Sequence, residues 1–145
     1  MSQEAERLAW QSIEIQEEDL QGIDLKDPKD VGRLGELLAA RYLNENGYEN
    51  IVTNYRCIYG EADIVCSYGQ TIVMVEVKTR TNKYVYPEEK VNAKKIQKYR
   101  SICLNYLMHH SEIENIEFDV IAINVIDSKH GKICHIAGIS EWDYL

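Results

Sequence analysis

The sequence predicts an α/β domain in which a sheet is covered by helices on both faces. Three observations carry that prediction. Helix-like and strand-like patterns alternate along the chain, two successive strands are apolar on both faces, and 145 residues suffice for one core without disulfide or metal staples. A strand apolar on both sides must be buried on both sides, so helices have to supply the cover.

The elements follow in order. Residues 2–20 show helical spacing, with Leu8, Ala9, Ser12, Ile13 and Gln16 along one side, and then give way to the linker-like "QGIDLKDPKD". "DVGRLGELLAARYLNENG" reads as a helix, with Asp30 as its N-cap and Gly47 as its stop. "IVTNYRC", "GEADIVCS" and "TIVMVEVKTR" read as three strands, the last two joined by the turn "YGQ". A loop around "TNKYVYP" leads to a long helix over residues 88–110, whose apolar side holds Val91, Ile96, Tyr99, Ile102, Cys103, Tyr106 and Leu107. "IEFDVIAINVI" and the short "KICHIAG" close the series as strands. The expected division is an acidic N-terminal extension over 1–30, partly helical and ending in a linker, and a domain over 31–145.

Charge is unevenly spread. The net −8 argues against a nucleic-acid partner at first sight, but residues 1–30 hold nine acids and three bases, leaving only −2 for the other 115 residues. From Lys78 to Arg100 eight bases face two acids. Such a run is either a solvated helix face or a phosphate-binding surface. No apolar stretch approaches bilayer length and the first residues do not read as a signal peptide, so the expected location is cytoplasmic. Cys57, Cys66, Cys103 and Cys134 make no C-x-x-C, which points to reduced, mostly buried thiols. His109 and His110 fall at a helix end, where they complement the dipole more simply than they bind metal.

The chemistry concentrates in "VMVEVKTR". Side chains alternate along a strand, so Glu76, Lys78 and Arg80 share one face. A turn centred on Gly69 and Gln70 places Asp63 opposite Glu76 across the hairpin, with Cβ atoms about 4.5–5.5 Å apart. Two carboxylates that close repel unless a cation lies between them, and Lys78 or a divalent metal could serve. Mg²⁺ takes one or two carboxylates with water and phosphate oxygens, so Asp, Glu and Lys together suit phosphodiester hydrolysis. On the preceding helix, Glu36 shares its side with Gly32, Ala39, Ala40 and Leu43; it is either a third acidic group at the same site or an exposed first-turn glutamate. An isolated E-x-K is more simply a solvated ion pair, and it is the facing Asp63 that changes the balance.

"GRLGELLAARYLNENGY", "NYRCIYGEADIV", "VMVEVKTR", "VNAKKIQKYRSICLNYL" and "IEFDVIAI" together resemble the successive blocks of the YraN-like family, over about residues 31–137. That family is similar to the Holliday junction resolvases of the PD-(D/E)xK, or restriction-endonuclease-like, nuclease superfamily. The resemblance implies a mixed central sheet flanked by helices and a nuclease site using Mg²⁺ or Mn²⁺. It implies Asp63 and Glu76 as metal ligands, Lys78 as the catalytic lysine, and Glu36 as the helix glutamate of resolvase-like members, which is expected to assist Asp63 and Glu76 in holding the metal. Lys95 matches a basic position of the later helix and joins Arg80, Lys94 and Lys98 as candidate phosphate contacts. Ala62 departs from the family's larger aliphatic residue in "GEID", and the acidic extension lies outside the family core. The function expected is a DNA endonuclease, structure-selective and resolvase-like, acting on branched or single-stranded DNA. A two-fold dimer is favoured by such a substrate, and the acidic extension either binds a protein partner or keeps the chain soluble. The competing class is a non-catalytic DNA-binding or protein-interaction module on the same fold.

Overall fold

Local chemistry sets most element boundaries in the computed structural model, which describes residues 10–81, 93–110, 112 and 115–139. The strands are β1 (Gln11–Glu14), β2 (Glu49–Cys57), β3 (Gly60–Tyr68), β4 (Thr71–Thr81), β5 (Asn115–Val125) and β6 (His130–Ile139). The helices are α1 (Pro28–Glu45) and α2 (Ala93–Leu107), with a 3-10 turn over Glu17–Leu20. The "TNKYVYP" loop beyond Thr81, the expected helix start over 88–92 and the side chain of Lys95 lie outside the described residues.

The described strands form one mixed sheet in the order β1-β6-β5-β4-β3-β2. Only β4 and β5 pair in parallel, which requires a crossover, and α2 supplies it. The two doubly apolar strands, β3 and β4, are interior as expected. On one face, Leu34, Leu38, Ala39 and Leu43 of α1 pack on Ile64, Cys66, Val73, Val75, Ile121 and Ile123. On the other, Ile96, Tyr99, Ile102 and Cys103 of α2 pack on Val65, Ile72, Met74, Phe118 and Val120. Burying each such aliphatic side chain contributes roughly 1.5–3 kcal/mol, so the two clusters are what hold the helices to the sheet.

Helix α1 begins earlier than the sequence suggests. Asp27, not Asp30, is the N-cap: its side chain accepts from Lys29 N at 3.0 Å, and Pro28 takes the first helical position, where its missing N–H costs nothing. Asp30 instead pairs with Arg33 at 2.7 Å. The stop is as expected, with Gly47 at φ 88° just beyond the helix.

Helical spacing also misleads at residues 11–14, which form edge strand β1 against β6, from Gln11↔Ile133 to Glu14↔His130. The chain after β1 is tied down by Arg41, which donates to both carboxylate oxygens of Asp19 (3.0 and 2.8 Å) and to Glu14 O (2.7 Å). Ile15 is buried in the α1-side core.

At the end of the sheet where β5 begins and β6 ends, buried polar groups form a chain. Tyr42 Oη lies 3.1 Å from His135 Nδ1, and His135 Nε2 lies 2.7 Å from Asp119 Oδ2. Gly138 N donates to Asp119 Oδ1 at 3.0 Å, and Asp119 is hydrogen-bonded to Glu117. That bond, then partial burial and the Asp119 charge, push the Glu117 carboxyl up to about 7. All four cysteines are free and three are buried, as expected of reduced thiols. His109 and His110 turn Nδ1 to the carbonyls of Asn105 and Tyr106, at 3.0 and 2.9 Å, and so cap the end of α2.

Candidate active site

The hairpin register is the one inferred from its turn. Tyr68 pairs with Thr71, and the ladder runs back to Ile64↔Val75. There it stops, one pair short of Asp63 and Glu76. Beyond that point β3 stays paired to β2 down to Cys57↔Gly60, and β4 stays paired to β5 up to Thr81↔Val125. The two strands part because each follows its outer neighbour. The gap is closed by a side chain: Asp63 Oδ2 accepts the backbone N–H of Val77 at 2.8 Å.

A cavity of about 470 Å³ opens where the strands part. Its walls include Glu36 of α1, Glu61 and Asp63 of β3, Glu76, Lys78 and Arg80 of β4, and Lys98 and Tyr99 of α2. Both helical layers therefore meet at this end of the sheet, which neither could reach through the paired part. Glu36, Asp63, Glu76 and Lys78, four residues singled out in the sequence, are brought to one cavity, together with Arg80 and Lys98. Lys94 is exposed on α2, one turn before Lys98, and does not line it.

Glu76 is 3% exposed, and Lys78 Nζ stands 3.3 Å from its Oε1. A carboxylate this buried is tolerable only with charge compensation, which Lys78 supplies. Burial raises the pKa of the Asp63 carboxyl, and the Glu76 charge adds to that, while the Val77 N–H and Lys78 oppose it. Burial also raises that of Glu36, reinforced by Asp63 and Glu61. Glu36 sits at the margin of the apolar stripe of α1, half-buried beside Gly32 and Ala40, whereas Val31, Leu34, Gly35, Leu38 and Ala39 form the buried stripe itself. Among the described residues, no three His, Cys, Asp or Glu side chains are grouped closely enough to hold a metal ion by themselves.

Three participants were not foreseen. Glu61 lies two residues before Asp63 on β3 and could have been found by strand alternation in "GEAD". Asn54 of β2, at φ 57°, has its amide oriented to donate to Glu36 Oε1 and Glu61 Oε1, 3.2 Å each, and so clips α1 to β3. Tyr99 reads in sequence only as an apolar helix position. Its ring stacks on Phe118 (4.9 Å between centroids), and burial with the charges of Glu76, Asp63 and Glu61 raises the pKa of its phenol.

The profile of the family described as "Uncharacterised protein family UPF0102" matches residues 35–123, a span that contains Glu36, Asp63, Glu76 and Lys78. Among curated relatives, a UPF0102 protein of Alkaliphilus oremlandii is 41% identical over 112 residues, covering 74% of this chain and 95% of its own length. One from Syntrophus aciditrophicus is 44% identical over 96 residues, 65% of this chain and 76% of its own length. One from Renibacterium salmoninarum is 31% identical over 112 residues, 76% of this chain and 95% of its own length.

Proposed function

Since the chain belongs to the UPF0102 family, the YraN family of the resemblance noted in its sequence, we propose that it is a divalent-cation-dependent DNA endonuclease on a restriction-endonuclease-like fold. One observation carries the reading. Asp63 and Glu76 come to one cavity from two strands that stop pairing just before them, with Lys78 on Glu76 and further cations at the rim. Gathering four carboxylates, Glu36, Glu61, Asp63 and Glu76, in one cavity raises the energy of the fold unless a cation joins them.

The donor set fits Mg²⁺ or Mn²⁺. Such ions accept one or two protein carboxylates and complete their shell with water and substrate phosphate, so Asp63 and Glu76 would hold the ion and Glu36 would be the third acidic group nearby. When bound, the cation neutralises phosphate charge and makes water more acidic. The remaining work falls to the chain. Lys78 presents its ammonium where charge develops on the phosphate oxygens. Glu36, with its pKa raised, is a base able to take the proton of an attacking water as that oxygen bonds to phosphorus and the P–O ester bond breaks. Arg80 and Lys98, at the rim, hold flanking phosphates, and Lys94, one turn further along α2, extends that track.

The test is a cleavage screen with Mg²⁺ or Mn²⁺ on labelled branched, single-stranded and duplex DNA. Wild type should cut at least one and the Glu76→Ala variant none; a wild type that cuts none refutes the enzymatic reading. The lack of a three-carboxylate cluster among the described residues favours a second reading, a DNA- or protein-binding module without chemistry. Calorimetric titration with Mn²⁺ separates the two, since a module has no reason to bind the ion and the nuclease loses the binding on Glu76→Ala.

A further inference from the structure

The β2–β3 hairpin ends in a two-residue turn, Ile58 and Tyr59, closed by the Cys57↔Gly60 pair. Ile58 is 87% exposed and Tyr59 51%. Holding large apolar side chains out in water on a tight turn contributes nothing to folding. The turn also stands beside the cavity. Gly60 sits at φ 132°, where a side chain is strained, and a Cβ there would meet Lys98 Cε at 2.9 Å. The tip is thus seated directly on Lys98, which lines the acidic cavity, and the next residue, Glu61, lines it too. Arg56, 77% exposed, flanks the tip on β2 and reaches Glu61 Oε2 at 3.4 Å.

We propose that Ile58 and Tyr59 form a base-stacking wedge that selects a nucleic-acid strand with unpaired bases beside the phosphodiester held in the cavity. This rests on the nuclease reading and narrows its substrate class. An aromatic and an aliphatic side chain carried on a tight turn between basic residues is what unstacked bases recognise, because every base offers a flat face and its phosphates need cations. A fully stacked duplex offers no such face. Along β3 Tyr59 lies four residues, roughly 13 Å, from Asp63 at about 3.3 Å per residue. At about 3.4 Å per stacked nucleotide, the wedged base sits within about four steps of the bond to be cut.

The test measures binding without a divalent cation, so that it reads independently of cleavage. Fluorescein-labelled single strand, a fork with a single-stranded arm, and full duplex are titrated with wild type and with the Ile58→Ser/Tyr59→Ser double variant. The variant should lose about 10–100-fold on the strand and fork, taking 1–3 kcal/mol per stacked base, and less than about twofold on the duplex. Lys98→Ala should weaken all three alike. A Tyr59→Trp variant, read against wild type, should be quenched by the strand and not by the duplex. Equal losses on all probes, no loss, or binding without quenching overturns the wedge, and leaves the nuclease reading standing if wild type cuts DNA. Wild type that binds the strand without ever cutting, together with quenching of the Tyr59→Trp variant, removes the nuclease reading and keeps the wedge. Failure to bind any probe overturns the wedge, and the cleavage screen with Mg²⁺ or Mn²⁺ then decides the nuclease reading by itself.

Discussion

At Gly35 α1 lies close against the sheet, and replacing it with Ala tests how the cavity is held. A Cβ built there would stand 1.8 Å from Thr79 Oγ1, 2.8 Å from Thr79 Cβ and 2.9 Å from Thr79 Cγ2. Rotating Thr79 about χ1 moves Oγ1 and Cγ2 but not its Cβ. Ordinary contact begins at 3.4 Å, so α1 and β4 must separate by 3.4 minus 2.8, or 0.6 Å, at that point. Overpacking of this kind costs about 1–3 kcal/mol, offset by the roughly 1 kcal/mol that Ala gains over Gly inside a helix. The net expectation is a loss of about 0–2 kcal/mol. At about 2–4 °C per kcal/mol for a chain near this length, that is a fall in Tm of up to about 8 °C.

The functional loss should exceed the structural one. Gly35 adjoins Glu36 and Thr79 adjoins Lys78, so the displacement reaches two walls of the cavity, and catalytic groups tolerate only about 0.5 Å. Cleavage should fall about 10–100-fold. Thermal melts followed by circular dichroism and single-turnover cleavage read the two effects. The Thr79→Gly variant removes all three contacted atoms, so Gly35→Ala in that background should stabilise, giving a coupling of about 1–3 kcal/mol in a double-mutant cycle. A Gly35→Ala protein that is more stable by the full helix-propensity gain, with no coupling to Thr79, would refute the reasoning.

Other outcomes follow from the same geometry. Asp63→Asn keeps an acceptor for Val77 N–H but removes the charge facing Glu76, so it should abolish metal-dependent cleavage. Because the folded state raises the Asp63 pKa, its ionisation weakens the fold as pH rises, and melts should show the Asn variant above wild type at pH 8 with the gap closing by pH 4. Lys78→Met should cost about 1–3 kcal/mol in urea denaturation, by leaving the buried Glu76 without its ammonium at 3.3 Å. Glu117, raised from 4.5 to about 7, binds a proton in the folded state that the unfolded chain has released. Its stabilising contribution is whole below pH 4.5 and disappears as pH rises to 7 and beyond. Glu117→Gln should therefore raise Tm relative to wild type at pH 8 and not at pH 4, and equal shifts at both would exclude this origin.

Much of this was written locally. The helix and strand order, the Gly69–Gln70 turn and the register carrying Asp63 towards Glu76 follow from periodicity and turn chemistry, which act over a few residues. The acidic and basic side chains of the cavity were recognisable as types for the same reason. One misreading fell where a distant partner decided, the other where an adjacent residue did. Gln11–Glu14 became a strand because β6, more than a hundred residues later, offered an open edge, and backbone pairing there outweighed a weak helical pattern. Asp27 took the cap from Asp30 because Pro28 could start the helix one turn sooner.

The sequence by itself determined which strands are buried, which carboxylates face across the hairpin and where the bases cluster. Tertiary structure alone decided that β3 and β4 part after Ile64↔Val75, because the pull of β2 on one strand and of β5 on the other is a property of the whole sheet. It also decided that Gly35 lets α1 sink onto Thr79, that Asn54 clips Glu36 to Glu61, and that Tyr99 faces the carboxylates. Such contacts join residues dozens of positions apart, and side-chain spacing along the chain carries no record of them.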